Sequence, residues 1–480
     1  MYIAATSHCQ DFMREKVPTT LGNLHLVSTL IYFIFEESSK VAACGPSPSP
    51  HSLQPGEQSM PDAPRTWRKN SHSANESKEL VILRLIQGQQ NISRTELVRQ
   101  SGFSGGLVSE ITQRLITKRL VAPSAPRPSS AGRKALGLTL RHDAAYVIGV
   151  DLGSYYLRVV VTDIVGNVVL KSQTQTRLHE GRERVLAGTF SAIEQAMAEC
   201  GIPIQNIRGI GVGHSGIVDA TRGLVLSFPR PAQMAEWKNV PLRNMLQDRY
   251  AMRCVVEDSV GAIAVTELRF GTGKNLSDFI YIDVGMGIGA GIILNGDLYR
   301  GPGGGAGEFG HLTVVDKGPL CCCGNSGCLE TVASCAAIIG AVNSAIQQGV
   351  DSRIRELAEE HLDRVSIELI GEAARQNDSL AFRVFDRAVG YIGIALADVV
   401  NLLNPTVVIF GGPLFRAAPY LLDPLQRVMK QHALERCANQ VQLRVSQIGS
   451  EGGAIGAASA VAHLVVEDLH RESCGGRLPT

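Results

Sequence analysis

The spacing of hydrophobic positions predicts three consecutive helices ahead of the main body of the chain. The first is the run LVILRLI at residues 80–86. The second, SRTELVRQSG, starts at Ser93, which with the Glu three residues later has the pattern of a capping box, and it ends at Gly102. The third is expected over residues 104–121, where apolar residues recur at helical spacing: Leu107, Val108, Ile111 and Leu115.

Two short helices, a tight turn and a third helix are the arrangement of a helix-turn-helix. The segment at 123–140 is basic and contains glycine, which is typical of the β-hairpin that forms a wing. Residues 77–141 are therefore predicted to be a winged helix-turn-helix domain.

From Tyr146 onward, short apolar strands alternate with amphipathic helices, which indicates an α/β fold. Several strands lead into glycine-rich turns, and such turns bring backbone amides towards phosphates. The predicted strand segments are 146–154, 157–163, 167–174, 207–213, 279–294 and 406–412, and the clearest helices are 185–200 and 379–403.

Length and charge divide the chain into modules. With 480 residues and 44% hydrophobic positions, two or three globular units are expected. The net charge of +1 is unevenly distributed, because residues 78–141 hold eleven Lys or Arg against three Glu, a net charge of +8. A basic module of this kind favours nucleic acid as its partner.

The N-terminal residues 1–76 are expected to be disordered or an over-long gene prediction, and Met60 would be a plausible start. Residues 41–76 are rich in Pro, Ser, Gln and His and cannot bury much surface. The apolar run at 26–35 is too short to span a bilayer. A cytoplasmic protein without a membrane partner is predicted.

The stretch GEFGHLTVVDKGPLCCCGNSGCLE, residues 307–330, holds one histidine, four cysteines and two glutamates. Clustered cysteines in a reducing cytoplasm indicate a metal rather than disulfides. The C-x-C spacing is tighter than that of common zinc fingers, so spacing by itself leaves open a loop of buried or oxidisable thiols.

This stretch contains G-E-x-G-H followed by C-x-C-G-x-x-G-C-x-E, and it resembles the signature of the ROK family (repressors, open reading frames and sugar kinases). The resemblance extends from about Leu80 to His463. It implies a two-lobed actin-like, ribonuclease H-like sugar-kinase fold with the sugar in the cleft. The lobes would be 144–262 and 263–464, the second with the zinc loop, and 465–480 would be a tail.

The resemblance also implies ligands for one structural zinc ion per chain: His311, Cys321, Cys323 and Cys328. It implies sugar-binding residues at the same wall of the cleft: Asp258, Glu308, His311 and Glu330. Ionised carboxylates accept strongly from sugar hydroxyls. Arg230 stands near a position where the family often has Asn, so we hypothesise that it pairs with an acidic group and that the effector is a sugar acid or sugar phosphate.

Three departures from the kinases of the family argue against phosphoryl transfer. DLGSYYLR places Tyr155 where a small hydroxyl contacts phosphate, and GMGIGAG places Met286 where the family has Thr. VEDSVGA places Ser259 where the family has its catalytic Asp. A serine hydroxyl is too weakly basic to act as the general base, a loss of about 10²- to 10⁴-fold in rate. The chain is therefore predicted not to be an enzyme.

The third helix is predicted to enter the major groove of DNA. Gln113 suits bidentate contact with adenine, whereas basic side chains suit phosphates. The complete set of predicted DNA contacts is Arg94, Gly105, Ser109, Thr112, Gln113, Arg114, Lys118 and Arg133.

The favoured function is a transcriptional regulator, acting as a repressor of carbohydrate-metabolism genes and controlled by a sugar or sugar derivative. Its partners would be double-stranded operator DNA and a second copy in a homodimer or homotetramer. The alternative is an ATP-dependent sugar kinase or a bifunctional kinase and regulator. A structural zinc protein without DNA or ligand does not account for the basic module.

Overall fold

The structure, a computed structural model, describes residues 77–127, 135–228 and 236–475. The predicted extension at 1–76 lies outside the described residues, as do the predicted contacts Arg133 and Arg230. Among the helices within the described ranges, none combines the length and the hydrophobicity needed to cross a bilayer.

A winged helix-turn-helix forms the first part of the described chain. Its three strands make one antiparallel sheet, in which β3 lies between β1 and β2. The elements are α1 (Lys78–Gly88), β1 (Ile92–Ser93), α2 (Arg94–Ser101), α3 (Gly105–Thr117), β2 (Val121–Arg127) and β3 (Ala135–Leu140).

The local signals for α2 act as the sequence predicts. The Glu96 backbone N–H donates to Ser93 Oγ (3.2 Å), and the Ser93 backbone N–H donates to the Glu96 carboxylate (2.8 Å), which completes a capping box. Gly102 ends the helix with a left-handed φ of 71°.

Helix α3 ends at Thr117, earlier than the predicted end at residue 121. Arg119 adopts a left-handed φ of 59°, and the Leu120 N–H donates to Leu115 O (3.0 Å), so the chain turns out of the helix at this point. The apolar residues after the turn belong to β2 and not to the helix.

The first lobe is built on a five-stranded mixed sheet with the order β10-β7-β4-β5-β6. The central strand β4 pairs antiparallel with β5 and parallel with β7. Its elements are β4 (Tyr146–Leu152), β5 (Tyr156–Asp163), β6 (Val168–Gln175), α4 (Arg182–Glu199), β7 (Ile207–His214), β8 (Ile217–Asp219), β9 (Leu224–Ser227), α5 (Leu242–Tyr250) and β10 (Arg253–Asp258).

The second lobe repeats this arrangement with the order β15-β14-β11-β12-β13. Each lobe therefore has three antiparallel strands extended by two parallel ones, as expected for the two-lobed fold. The remaining elements are α6 (Ser259–Phe270), β11 (Phe279–Val284), β12 (Ile288–Leu294), β13 (Asp297–Tyr299), α7 (Glu330–Ala333), α8 (Cys335–Gln347), α9 (Arg353–Leu357), α10 (Ile367–Arg375), α11 (Ser379–Leu403), β14 (Val407–Gly411), α12 (Gly412–Ala417), α13 (Leu422–His432), α14 (Glu435–Ala438), β15 (Gln442–Val445) and α15 (Gly452–Ser473).

One predicted strand segment, 279–294, is a hairpin of β11 and β12. The Gly285 N–H donates to Gly287 O (2.9 Å) and closes the turn. The continuous apolar pattern arises because both strands lie in the same buried sheet.

The last helix, α15, departs from the predicted lobe boundaries. Although it follows the second lobe in sequence, it packs against β4, β7 and β10 of the first. Glycines on the sheet allow this approach, since a Cβ on Gly149 would lie 1.9 Å from Ala454 O and one on Gly211 would lie 1.9 Å from Ala457 O. The second lobe therefore does not extend continuously to residue 464.

The predicted tail is also wrong in its first part. Helix α15 continues to Ser473, and Val465, Val466 and His470 are buried. These residues are covered because the winged helix-turn-helix packs on the end of α15. Ile82 of the module belongs to the same hydrophobic core as Val465.

Replacing Gly211 by Ala is expected to lower the free energy of unfolding by about 2 kcal/mol, because the added methyl group overlaps a backbone carbonyl of α15. Gly188→Ala is the matched control, since no heavy atom lies within 4 Å of a Cβ at that position of α4. The control should gain up to about 1 kcal/mol from helix propensity. Urea unfolding measures both variants, and equal midpoints would contradict the close packing.

Candidate functional site

A cavity of about 280 Å³ lies between the two lobes and brings the candidate residues together. It is lined by the end of β4, the start of α6, the glycine loop between β11 and β12, and the segment that begins at Gly304. The cavity therefore has walls from both sheets.

The position expected for the catalytic carboxylate holds Ser259, the first residue of α6. Its Oγ donates to Asp151 Oδ1 (2.7 Å), and Arg158 Nη1 lies 3.3 Å from Asp151 Oδ2. Asp151 is 5% exposed. Burial raises the pKa of this carboxyl, and the contacts with Ser259 and Arg158 lower it. In this arrangement the serine hydroxyl is a hydrogen-bond donor to a buried acid.

Asp258 lies beside Ser259 at the start of α6. Its Oδ1 accepts the Gly261 N–H (2.7 Å) and caps the helix. Burial raises the pKa of Asp258 to about 7, with the Gly261 hydrogen bond opposing the rise and the charges of Glu308 and Glu257 adding to it. This carboxyl lines the cavity, so it is placed to contact a bound polyol.

His311 lies between the cysteine cluster and the wall of the cavity. Its Nδ1 is 3.5 Å from Cys321 Sγ, and its Nε2 is 3.7 Å from Glu308 Oε2. A metal on Nδ1 would leave the proton on Nε2, which faces Glu308. Burial raises the pKa of Glu308, the charge of His311 lowers it, and Glu330 raises it.

Glu330 connects the cysteine loop to the second sheet. As the first residue of α7, it accepts the Ile288 N–H through Oε2 (2.9 Å). One carboxylate oxygen thus holds the start of β12. The residue lines the cavity together with Glu308 and His311, as predicted.

The four predicted metal ligands do come together. The donor atoms of His311, Cys321, Cys323 and Cys328 all lie within 4.8 Å of one another. The Cys321 N–H donates to Asn325 O (2.7 Å), a turn that returns the chain towards Cys328. One nitrogen and three sulfur donors suit a tetrahedral metal such as zinc. Cys322 is exposed and is not part of this cluster.

The two substituted phosphate-loop positions, Tyr155 and Met286, both line the cavity. Tyr155 is 44% exposed, so its ring stands at the mouth and not in the core. The serine before it, Ser154, has its Oγ 3.3 Å from Ser215 Oγ.

The exposed face of α3 includes Gly105, Ser109 and Gln113. Thr112 is 0% exposed, so the prediction that it contacts DNA is wrong in this conformation. The reason is the helical stripe: residue 112 stands on the buried face with Val108, Ile111 and Leu115.

Three of the predicted basic contacts, Arg94, Arg114 and Lys118, are engaged within the protein. Arg94 Nε donates to Thr112 Oγ1 (3.0 Å). Arg114 Nε lies 2.7 Å and Lys118 Nζ 2.9 Å from the carboxylate of Glu79. Their contacts with DNA phosphates remain predictions.

The sequence profile of the ROK family matches residues 147–463. The chain belongs to the ROK family. It is 30% identical over 391 residues to the xylose repressor of Caldicellulosiruptor bescii. The aligned region covers 82% of this chain and 96% of that protein.

Two solved ROK structures are similar to this chain. A ROK family transcriptional regulator described as a homolog of the E. coli MLC protein has 28% identity and a TM-score of 0.68, and the match covers 83% of this chain and 98% of that one. A ROK family glucokinase from Streptomyces griseus, in complex with glucose and AMPPNP, has 31% identity and a TM-score of 0.59. That match covers 66% of this chain and 99% of the glucokinase.

Asp283 is a candidate residue of the ROK cleft that the sequence reasoning missed. It accepts a hydrogen bond from Tyr281 Oη (2.8 Å); burial raises the pKa of Asp283, while Tyr281 and Arg416 lower it. The sequence held a signal, because VDLG around Asp151 and IDVG around Asp283 are the same strand-end pattern. The two acids occupy β4 and the end of β11, which are equivalent strands of the two lobes.

Asp258→Asn is expected to remove a pH dependence of stability. The pKa of this carboxyl is 3.8 in the unfolded chain, and burial raises it to about 7 in the folded protein. Between these values the folded protein retains a proton that the unfolded chain releases, so stability falls as the pH rises through this window. Asn preserves the helix cap but has no proton to lose.

Melting temperatures near pH 5 and near pH 8 measure this effect. The wild type should lose more stability than Asp258→Asn at the higher pH, and equal losses in the two proteins would refute the assignment.

Proposed function

We propose that this ROK protein is a DNA-binding transcriptional regulator that represses carbohydrate-metabolism genes and is controlled by a sugar or sugar derivative in its cleft. The extent of similarity carries this proposal. The alignment with the xylose repressor is 391 residues long, which is longer than the ROK region at 147–463. The alignment therefore includes sequence outside that region. The glucokinase match covers 66% of the chain.

The proposal includes a cleft that does not transfer phosphate. The Ser259 hydroxyl donates a hydrogen bond to Asp151, and a neutral hydroxyl engaged in this way is a poor acceptor for the proton of an attacking sugar hydroxyl. Tyr155 and Met286 replace small polar side chains at the two phosphate loops. Phosphoryl transfer depends on all of these parts being in place.

One structural zinc ion would be held by His311 and the three cysteines. Four protein donors fill a tetrahedral coordination shell, so the ion would have no open position for catalysis. Its role would be to fix the loop that presents Glu308 and Glu330 to the cavity. The direct support is the clustering of the four donor atoms within 4.8 Å.

The sugar would be held by three carboxylates. Asp258 is at the start of α6, and Glu308 and Glu330 are on the zinc-loop side. His311 would add an N–H from Nε2. Arg230 stays in the proposal as the partner of an acidic group on the effector. Carboxylates buried in a cleft form strong hydrogen bonds with hydroxyl donors.

Binding would regulate DNA affinity through closure of the lobes. A ligand that contacts both walls binds the closed arrangement more tightly, and this difference in affinity shifts the population. In a homodimer or homotetramer, the change would alter the distance between two DNA-binding modules, and with it the fit to two operator half-sites.

Glu308→Gln is expected to weaken binding of a neutral or acidic sugar by about 10- to 100-fold, because it removes a charged hydrogen-bond acceptor. Glu183→Gln, at an exposed site on α4, is the control and should bind like the wild type. Thermal shift with a panel of sugars, sugar acids and sugar phosphates identifies the ligand, and titration compares the variants.

The same panel is tested for sugar-dependent ATP consumption. Turnover at the background rate is expected. Robust turnover would identify a kinase and would contradict the proposal that the cleft does not transfer phosphate.

Gln113→Ala is expected to cost about 1–3 kcal/mol of affinity for DNA that the full-length protein selects from a random pool, because a bidentate base contact is lost. The dependence of affinity on salt should stay the same, since no phosphate contact is removed. Gln195→Ala on α4 is the control. Unchanged affinity and unchanged base preference in Gln113→Ala would contradict the placement of α3 in the groove.

A further inference from the structure

A second cluster of metal-type donors lies where the DNA-binding module meets the end of α15. Glu79 comes from α1, while His470 and Cys474 come from the last turn of α15 and the residue after it. A carboxylate oxygen of Glu79, a ring nitrogen of His470 and Cys474 Sγ all lie within 4.8 Å of one another. We call these three residues the junction cluster. None of them belongs to the zinc loop or to the cleft.

His470 supplies an independent sign that the junction cluster is a site for a bound group. The residue is 6% exposed, and its Nε2 lies 3.2 Å from Ser77 Oγ. Its Nδ1 is buried and has no hydrogen-bond partner within the part of the chain that the structure describes. Buried polar nitrogens are normally satisfied, so an orphaned one directed at a carboxylate and a thiol indicates a site for a bound group.

The donor set is the one that zinc prefers. Imidazole nitrogen, thiolate sulfur and carboxylate oxygen are all common zinc ligands. Glu79 contacts Arg114 through Oε1 (2.7 Å), while Oε2 lies 3.7 Å from His470 Nδ1. Donor atoms around tetrahedral zinc lie about 3.5 Å apart, so small side-chain rotations would close the cluster around an ion.

Lys118 occupies the position of a cation in this structure. Its Nζ lies 2.9 Å from Glu79 Oε2 and 3.2 Å from Cys474 Sγ. The ammonium group and the carboxylate neutralise each other. The cluster therefore accommodates a positive charge at the point where a metal ion would be bound.

We propose that the junction cluster is a second, exchangeable zinc site, in which the ion replaces the Lys118 ammonium group. Glu79, His470 and Cys474 would provide three ligands, with water as the fourth. On binding, the Cys474 thiol loses its proton to solvent and a zinc–sulfur bond forms. Lys118 keeps its proton and moves out of the cluster. The ion is then balanced by one carboxylate and one thiolate.

Two properties distinguish this site from the zinc loop. Three protein ligands and a water bind zinc less tightly than one histidine and three cysteines, so chelators should remove the junction ion first. Binding also frees a lysine at the end of α3, the helix that faces DNA. The inference does not depend on the proposed function, because its measurement is metal content.

The test uses the untagged full-length protein, equilibrated with zinc ions alone and analysed for metal per chain. Two zinc ions per chain are expected for the wild type, one from each group of donors. One is expected for Cys474→Ser and for His470→Ala. Cys437→Ser is the matched control, because that cysteine lies on α14 away from the cluster, and it should retain two. Equal numbers of zinc ions in the wild type and in His470→Ala would overturn the proposal, whatever the occupancy of the zinc loop.

Cobalt provides a second measurement that does not rely on a count. Co²⁺ added to protein whose zinc loop is already filled should give a thiolate-to-cobalt absorption band in the near ultraviolet. The band should be absent in Cys474→Ser, an exposed substitution that leaves the core intact. A band of equal intensity in that variant would refute the assignment of the thiol.

Lys118→Met tests the exchange with the ammonium group. Removing the competing cation should tighten the junction site by about tenfold, within the range known for groups around a metal site. Affinity equal to that of the wild type would contradict the exchange. Melting curves of the variants show whether each one is folded.

Discussion

The packing of α15 against the glycine positions of β4 and β7 is the contact on which the arrangement of the molecule depends. Backbone carbonyls of the helix lie where side chains of the sheet would otherwise stand. This contact places the first turn of α15 beside the cleft, since a Cβ on Gly453 would lie 2.8 Å from the carboxylate carbon of Asp151. The C-terminal half of the same helix contacts the winged helix-turn-helix through Glu467 and Arg84 (2.6 Å). Helix α15 thus extends from the cavity to the winged helix-turn-helix.

The chemistry of the cleft follows from how its acids are placed. Asp151 contacts Ser259 and Arg158, and three further acids line the same cavity: Asp258, Glu308 and Glu330. His311 separates the acids from the thiols because its two nitrogens face different groups. Glu308 and His311 of the GEFGH motif therefore both line the cavity, and His311 also belongs to the metal cluster.

Local features of the fold were predictable from sequence, because they depend on neighbouring residues. The capping box of Ser93 and Glu96, the end of α2 at Gly102 and the helix at 379–403 required no knowledge of tertiary structure. The metal cluster was predictable for a related reason, since its cysteines are close in sequence and the family motif supplied the histidine.

Features that depend on distant segments were not predictable. The place of α15 is determined by glycines some 240 to 300 residues earlier in the chain, an interval that follows from Gly149, Gly211 and their partners Ala454 and Ala457. Thr112 was misassigned because it is polar, although its spacing from Val108 and Leu115 places it on the buried face, where Arg94 contacts it. Asp283 had a sequence signal, but the equivalence of the two lobes is needed to interpret it.

Asp151 and Asp283 are linked electrostatically across the two lobes. Burial raises the pKa of Asp151, and the negative charge of Asp283 on the other sheet raises it further. Arg158 lowers the pKa of both carboxyls. One cation therefore couples the protonation of an acid at the end of β4 to that of an acid at the end of β11.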